Sequence, residues 1–282
     1  MNNNLSISQN FLVNNDFVNE LINKSSINNN DLVIEIGSGK GIITEILAIK
    51  VKEVISIEAD PLFASKLLTK FKDYKNIKII NQDFLKYTLP NKPFKIFSNP
   101  PFNLSADILN KLLKFPNTMS EAYLILQDKT VERFSREGNQ ISTLWKPLYE
   151  ISIIQKISKN EFRPVPNVNI VFCKFEKRKT PMIDVANYQL YRDFVIYGYN
   201  QWKPTLLQSF NKVFTKEQLK TISKKCNLDN LKPSETKINQ WIDLFDAFQN
   251  HVLDKKKLFV KGYEIKQINK QKDMVKRHRT TL

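Results

Sequence analysis

A short apolar run that ends in a glycine-rich turn constrains the fold of this chain more than any other feature. Residues 32–36 (LVIEI) are rich in branched side chains, and the turn that follows reads Gly37-Ser38-Gly39-Lys40-Gly41. Beyond this turn, isoleucine and leucine recur from 42 to 47 at the spacing of one helix face. The pattern predicts a buried strand, a tight turn and a helix, in that order.

The same alternation continues along the chain. Strand-like runs at 54–57, 77–80 and 94–97 are followed or separated by helical patterns, and more strands are expected at 122–126, 151–154 and 170–175. Strands that alternate with helices predict a parallel sheet. We therefore expect an α/β, Rossmann-like fold with a mostly parallel, seven-stranded sheet in the first 175 residues.

A basic segment with a proline, residues 177–181, marks the expected end of this domain. Helical spacing dominates beyond it, so we expect one domain at 1–180 and a small all-helical C-terminal domain at 181–253. Residues 254–282 form a third region. From residue 255 onward it contains ten Lys or Arg and two acidic residues, a net charge of +8. We expect this tail to be disordered and to bind a polyanion.

Composition narrows the class of protein further. The chain carries 44 Lys and Arg against 28 Asp and Glu, a formal charge of +16, which favours nucleic acid as the partner. Cys173 and Cys226 lie far apart and His251 and His278 are the two histidines, so neither disulfides nor a metal site is expected. No signal-peptide pattern and no apolar run of membrane-spanning length is present. A cytoplasmic protein without membrane contact is expected.

Three consecutive strand ends carry residues suited to one ligand. Gly37 and Gly39 let the backbone approach a ligand closely, and the early third glycine departs from the dinucleotide fingerprint. Glu58 can accept both hydroxyls of a ribose, although an exposed acid at a strand end explains it equally well alone. Asp83 can hold an adenine amine. Together the three ends predict a site for S-adenosylmethionine (SAM) at the carboxyl edge of the sheet.

The fourth strand ends at the tetrapeptide Asn99-Pro100-Pro101-Phe102, and these residues suit transfer of a methyl group to an amine on an aromatic ring. The Asn99 side-chain oxygen and the Pro100 carbonyl can each accept one amine hydrogen, and Phe102 can stack on the base. We therefore expect Asn99, Pro100 and Phe102 to be catalytic, acting on an adenine that is unpaired or flipped out.

With these motifs, the chain resembles a known family, the Erm-type 23S rRNA adenine N6-methyltransferases. The resemblance runs from Ser8 to about Phe248. Besides the glycine turn and the tetrapeptide, it depends on 8–12 (SQNFL), 57–60 (IEAD), 82–84 (QDF), 162–168 (FRPVPNV) and 214–219 (FTKEQL).

The resemblance implies a role for each matching residue. Asn10 and Leu12 would close over SAM, Gly37 would contact its methionine part, Glu58 its ribose and Asp83 its adenine. Asn99 would bridge cofactor and target. The target base would lie between Phe102 and a further wall formed by Phe162.

The implied function is SAM-dependent mono- or dimethylation of the N6 amine of one adenine in 23S rRNA, which confers resistance to macrolide, lincosamide and streptogramin B antibiotics. The implied partner of the helical domain is 23S rRNA or a pre-50S particle, and a monomer is expected. This chain departs from the family at Pro100, where Leu or Ile is commoner, and at Phe102, where Tyr is commoner. It also departs at Val168-Asn169-Ile170-Val171, where a Ser followed by an aliphatic residue is commoner.

Three other readings stay open on the sequence. A small-subunit rRNA adenine dimethyltransferase would share the fold and most motifs. A DNA adenine methyltransferase would share the tetrapeptide but needs a DNA-reading segment, and a non-catalytic nucleic-acid-binding relative would tolerate loss of the cofactor residues. The tryptophans Trp145, Trp202 and Trp241 lie in apolar contexts and are expected in the core.

Overall fold

The structure is a computed structural model that describes residues 10–114 and 118–270. Its strands are β1 (Phe11–Leu12), β2 (Leu32–Ile36), β3 (Glu53–Glu58), β4 (Ile77–Asn81), β5 (Phe94–Ser98), β6 (Met119–Gln127), β7 (Tyr149–Ile157), β8 (Phe162–Arg163) and β9 (Ile170–Lys177). Its helices are α1 (Asn15–Asn23), α2 (Ile42–Lys50), α3 (Pro61–Lys70), α4 (Ser105–Lys114), α5 (Asp128–Ser135), α6 (Gln140–Trp145), α7 (Tyr188–Tyr199), α8 (Leu206–Ser209), α9 (Lys216–Cys226), α10 (Ile238–His251) and α11 (Asp254–Lys257).

Seven of the strands form one sheet in the order β4-β3-β2-β5-β6-β9-β7. The pairs from β4 to β6 are parallel, whereas β9 runs antiparallel to both β6 and β7. This confirms the predicted Rossmann-like, mostly parallel sheet. The sequence does not anticipate the small second sheet, in which β1 pairs with β8.

Burial explains why the central strands read as continuous apolar runs. All five residues of β2 are buried, because helices cover both faces of a parallel sheet. On one face, α1 contributes Val18, Leu21 and Ile22 to the core cluster and α2 contributes Leu47. The strand order reverses between β2 and β5, so the carboxyl ends of these two strands flank the crevice where such folds bind ligands.

The chain divides into two compact units. The sheet unit takes in residues up to 132 together with 149–179, and the helical unit takes in 133–148 together with residues from 180 onward. The sequence does not anticipate that 133–148, which includes α6, joins the helical unit. Among the described residues, no helix is long and apolar enough to cross a bilayer.

Aromatic side chains form the core of the helical unit. Phe194 on α7 is fully buried, and its ring stacks on Phe210 at a centroid distance of 4.4 Å. It also packs against Phe245, Phe248 and, edge-on, Trp241. Helices α7 and α10 are therefore held together by ring packing, which combines large buried area with defined geometry.

The predicted disorder of 254–282 is wrong for 254–270, which we call the extension. Its residues 254–257 and 263–270 are helical, and the extension docks on α7 of the same unit. Arg192 donates to both carboxylate oxygens of Glu264, at 2.7 and 3.1 Å, and both side chains are more than nine-tenths buried. The Asp193 carboxylate accepts from the backbone N–H groups of Gly262 and Glu264. Residues 271–282 lie outside the described residues.

The sequence-based prediction that all three tryptophans are buried is wrong for one of them. Trp145 and Trp241 are buried as expected, but Trp202 is 93% exposed. Apolar neighbours in sequence do not distinguish a core residue from one in a surface loop between α7 and α8.

We expect the substitution Glu264→Gln to undock the extension. It leaves the buried Arg192 guanidinium without its counter-charge, a change that costs about 3–5 kcal/mol when one partner of a buried pair is lost. Amide hydrogen exchange should therefore accelerate across 254–270, while α7 and α10 stay protected. The exposed Lys266→Gln substitution is the matched control, and equal protection of the extension in both variants would contradict this account.

Candidate functional site

Two adjoining cavities lie at the carboxyl ends of β2 to β5, within the sheet unit. They contain about 520 and 510 Å³ of empty space, which includes space open to solvent, and share Gly37 and Pro101. The first is lined by Asn10, Phe11, Leu12, Glu35, Gly37, Ser38, Lys40, Ile42, Ile43 and Asn99 to Phe102. The second is lined by Ile36, Gly37, Ile57 to Asp60, Gln82 to Leu85, Pro101, Leu104 and Ile108.

Gly37 of the glycine turn lines both cavities, Gly39 lines neither, and neither glycine can be replaced without strain. Gly37 and Gly39 have φ angles of +72° and +50°, in the left-handed region. A Cβ on Gly37 would lie 3.0 Å from Pro101 Cδ, and one on Gly39 would lie 2.6 Å from the ring of Phe11. A side chain at either glycine would therefore clash with the neighbouring residue, Pro101 or Phe11.

Glu58 is fixed by the backbone of the turn it faces. One of its carboxylate oxygens accepts from the N–H of Gly39 at 2.8 Å and the other from the N–H of Asp60 at 2.9 Å. Asn81 on β4 supports the strand end by donating to the Glu58 carbonyl. The carboxylate is buried yet lines the second cavity, so it is held in one orientation where it can still accept from a ligand.

Asp83 lines the same cavity from the end of β4. Its carboxylate accepts from the N–H of Leu85 at 2.9 Å and caps the short helical turn Phe84–Lys86. The structure thus brings Glu58 and Asp83 to one cavity, beside the apolar side chains of Ile57, Leu104 and others. This combination of an apolar slot and two carboxylates suits a nucleoside.

Lys111 on α4 holds the Asp83 turn in place, and the sequence gives no signal for it. Its ammonium donates to the carbonyls of Phe84 (2.6 Å), Leu85 (2.9 Å) and Tyr87, and lies 4.9 Å from the Phe84 ring centroid. Burial lowers the pKa of Lys111, whereas the Asp83 charge opposes this shift. The helix that follows the tetrapeptide is therefore tied to the loop that carries Asp83.

The N-terminal segment 10–13 forms a strap over the first cavity. β1 pairs with β8, the Asn10 amide donates to the Pro164 carbonyl at 2.7 Å, and Val13 N–H donates to the Glu161 carbonyl. The Phe11 ring lies over Gly39, with Lys40 Nζ 5.1 Å from its centroid. Asn10 and Leu12, which the family resemblance places over the cofactor, both line the cavity, and so does Phe11, to which the sequence assigns no role.

Asn99 joins the strap to the tetrapeptide. Its side-chain nitrogen donates to the Asn10 carbonyl at 2.8 Å, which fixes the amide, since the reverse orientation would bring two acceptor oxygens together. The side-chain oxygen Oδ1 is buried and has no hydrogen-bond partner among the described residues. A buried acceptor without a donor is costly, so this atom marks a place where a donor belongs.

Of the two aromatic residues predicted around the base, the structure brings only one to the cavity. Phe102 follows Pro101 at the start of the 3₁₀ turn Phe102–Leu104 and lines the first cavity, as does Pro100. Phe162 is fully buried and lines neither cavity. Because Phe162 is paired with Leu12 in the β1–β8 ladder, it packs into the core cluster behind the strap. In this structure Phe162 belongs to the core, and its role as a wall of the base pocket stays a prediction.

Glu35 is a further polar residue of the site to which the sequence assigned no role. It follows three buried apolar residues in β2, is 2% exposed, and accepts a hydrogen bond from Thr44 on α2. Burial raises the pKa of Glu35 to about 8, against a smaller lowering by the hydroxyls of Thr44 and Ser38. An acid inside an apolar strand, next to a glycine turn, is the signal that could have identified it.

Together these residues fit SAM. The two cavities share Gly37, where a Cβ would lie 3.0 Å from Pro101 Cδ. Glu58 and Asp83 line one side, and the unpartnered Asn99 oxygen lies on the other. A ligand that spans both cavities can place its nucleoside in the second and its reactive end near Asn99.

Comparison with known proteins adds the family. A model of the family described as Ribosomal RNA adenine dimethylase matches residues 1–250. The chain is 32% identical over 247 residues to an rRNA adenine N-6-methyltransferase of Limosilactobacillus reuteri, covering 87% of this chain and 97% of that protein. It is 29% identical over 244 residues to Ribosomal RNA small subunit methyltransferase A of Clostridium botulinum, covering 83% and 89%.

Solved structures show the same fold. The crystal structure of the 23S rRNA methyltransferase ErmE superposes with a TM-score of 0.71 at 23% identity, covering 86% of this chain and 100% of that chain. A dimethyladenosine transferase from Plasmodium falciparum gives 0.71 at 20% identity, covering 85% and 97%.

We expect Lys111→Met to weaken SAM binding about tenfold, equivalent to roughly 1.4 kcal/mol, because the turn that carries Asp83 loses its three carbonyl contacts. Isothermal titration calorimetry measures this, with a thermal melt to verify the fold. Lys92→Met, which removes an exposed lysine paired with Glu53, is the control. An unchanged dissociation constant would show that the turn holds its shape without Lys111.

Glu35 should make the stability of the chain depend on pH. The folded chain retains this proton up to about pH 8, whereas the unfolded chain releases it near pH 4.5. The free energy of unfolding should therefore fall as the pH rises through this window, with a slope approaching about 1.4 kcal/mol per pH unit. Urea denaturation should show that slope reduced in Glu35→Gln and retained in the surface variant Glu45→Gln. Equal slopes in both variants would refute the assignment.

Proposed function

Since the chain belongs to the ribosomal RNA adenine dimethylase family and is a SAM-dependent rRNA adenine N6-methyltransferase, we propose that its target is one adenine of 23S rRNA. The modification would be mono- or dimethylation of the N6 amine. It would confer resistance to macrolide, lincosamide and streptogramin B antibiotics. The protein would act as a monomer in the cytoplasm, on free 23S rRNA or a pre-50S particle.

The buried, unpartnered oxygen of Asn99 is the observation that carries the assignment of the reaction centre. An exocyclic amine presents two N–H donors, and one of them can satisfy this oxygen. The amine is a weak nucleophile because its lone pair is delocalised into the ring. Holding its hydrogens on Asn99 Oδ1 and the Pro100 carbonyl would favour a pyramidal nitrogen whose lone pair is free to react.

The residues of the two cavities would hold the cofactor as follows. Glu58 would accept from the ribose hydroxyls, Asp83 would accept from the adenine amine, and Gly37 and Gly39 would admit the methionine part. The strap residues Asn10 and Leu12 would cover it. When bound, SAM supplies an electrophilic methyl group on a sulfonium centre.

Phe102 would position the target base by stacking on its face, a contact worth about 1–3 kcal/mol. The base has to leave its own stack to reach this ring. Where the family commonly has tyrosine, Phe102 has no hydroxyl to donate or accept, so its contribution is stacking alone. Pro100 stiffens the turn that carries the second acceptor carbonyl.

Two features support the large subunit as the source of this adenine. These are the segments 214–219 and 241–248 of the helical unit, which both resemble Erm-type enzymes. The helical unit would be the part that recognises the RNA. The small-subunit enzyme of Clostridium botulinum, at 29% identity, makes 16S-type rRNA the second candidate target.

Primer extension on total rRNA from cells that express the protein tests the proposal. Dimethylation blocks base pairing, so reverse transcriptase should stop at one adenine of 23S rRNA. In the Asn99→Ala variant we expect methylation to fall about 10²–10³-fold, as when a single oriented polar group is removed from a reaction centre. The exposed variant Asn91→Ala should retain the stop.

The position of the stop distinguishes the candidates. A stop in 16S rRNA alone would replace the proposed target by the small-subunit one. Because monomethylation leaves base pairing intact, mass spectrometry of the digested rRNA complements the stop assay. Wild-type protein that binds SAM but methylates neither rRNA would overturn both candidates.

A further inference from the structure

The exposed indole of Trp202 is the most unusual surface feature of the helical unit. Its side chain is 93% exposed, and its backbone has a φ of +52°. A bulky residue rarely occupies the left-handed region, and such a conformation costs about 1–3 kcal/mol unless its surroundings enforce it. Both the exposure and the backbone conformation oppose stability, so an explanation in terms of function is warranted.

Hydrogen bonds hold the two residues that precede Trp202. The Asn200 amide donates to the Ile196 carbonyl at 2.7 Å and to Gln140 Oε1 at 3.2 Å. The Gln201 amide donates to the Tyr197 carbonyl and to the Tyr263 hydroxyl, at 3.2 and 3.1 Å. The indole is therefore displayed on a fixed loop.

The hydrogen bond from Gln201 to Tyr263 connects the loop that carries Trp202 to the extension. Gln201 directly precedes Trp202, and Tyr263 belongs to the extension, where its ring packs edge-on against Tyr197 at 5.1 Å. The residue that precedes Trp202 is therefore bonded directly to the extension. The buried Arg192–Glu264 pair fixes the extension to α7.

The charged groups of this neighbourhood are predominantly positive. The extension carries six lysines and two acids. Of the acids, Glu264 is buried and neutralised by Arg192, and Asp254 pairs with Lys257 at 3.2 Å. Lys261 and Lys266 are exposed on the extension, and Lys203 is exposed next to Trp202.

We propose that Trp202, Lys203, Lys261 and Lys266 form an RNA-docking surface, on which an unpaired base stacks on the indole while the lysines contact phosphates. A cationic surface with an exposed aromatic ring is the arrangement that binds single-stranded nucleic acid, since every base has a face that can stack. The inference rests on the proposed function for the choice of RNA as partner. All four residues lie in the helical unit, whereas the reaction centre lies in the sheet unit.

Intrinsic fluorescence of the full-length protein tests the stacking directly. Trp202 is the exposed member of three tryptophans, so its emission should be quenched when a base stacks on it. The probe is a twelve-nucleotide oligouridylate, which has no adenine for the reaction centre. We expect saturable quenching in the wild type. Quenching should disappear in Trp202→Phe, which keeps a stacking ring, while binding measured by anisotropy of a labelled oligouridylate is largely retained.

Affinity measures the size of the contact. Trp202→Ala should bind the labelled oligouridylate about 5- to 150-fold more weakly, the range expected for one lost base–aromatic stack. Removing an almost fully exposed side chain leaves the fold intact, which a thermal melt verifies. On a methylatable rRNA fragment, this variant should raise KM and leave kcat unchanged.

Salt dependence tests the lysines. Each lost phosphate contact should make the slope of log K against log salt shallower by about 0.7. Lys261→Gln with Lys266→Gln should therefore flatten the slope. The control pair Lys52→Gln with Lys75→Gln, exposed on the sheet unit, lowers the net charge equally and should not.

Several outcomes would overturn the proposal. Oligouridylate that binds without quenching Trp202, or binds equally well to Trp202→Ala, would place the RNA elsewhere. A protein that binds no oligouridylate at all would show that the indole serves another kind of partner. The oligouridylate readouts do not require methylation, so their failure is distinguishable from failure of the proposed 23S rRNA target.

Discussion

The parallel pairing of the buried strands β2 and β5 determines where everything else in the site can lie. The strand order reverses between them, so the crossover helices leave in opposite directions and open a crevice at the carboxyl ends. The glycine turn follows β2 and the tetrapeptide follows β5, which brings Gly37 against Pro101. Ser98 at the end of β5 donates to the Ile36 carbonyl at 2.6 Å and secures this edge. The residues proposed to hold the cofactor and the target therefore face each other across a single pair of strands.

The polar groups at this edge of the sheet differ in how many of their hydrogen-bonding atoms have a partner, and this difference affects what each group can bind. The Glu58 carboxylate receives two backbone N–H groups and Asp83 receives one, so both are oriented before any ligand arrives. The Asn99 amide is oriented through its nitrogen, whereas its oxygen is left without a donor. Preorganised groups lose little entropy on binding, and an unpartnered acceptor gains most from a donor. The arrangement thus favours a fixed cofactor and a target amine that completes the site.

The helical unit uses a different principle. Its core is a cluster of packed aromatic rings around Phe194, which gives a rigid support. The extension is attached by a buried ion pair, which adds little net stability but requires one specific docking position. A chain segment in which eight of seventeen residues are charged can therefore be ordered. Its lysines remain on the surface, and its one buried acid meets an arginine from α7.

The sequence by itself determined the alternation of strands and helices, the glycine turn and the residues at each strand end, because periodicity and turn chemistry are local properties. These features, together with the family resemblance, identified Glu58, Asp83 and the tetrapeptide as candidate site residues. Lys111, Phe11 and Glu35 depended on tertiary structure, since contacts between distant segments give them their surroundings. Tertiary structure also decided the environment of Phe162, because the strand that contains it pairs with the strap and its side chain packs into the core. It likewise decided that of Trp202, whose side chain is exposed to solvent. The ordered extension required the Arg192–Glu264 pair, a contact across 72 residues that charge counting along the chain does not reveal.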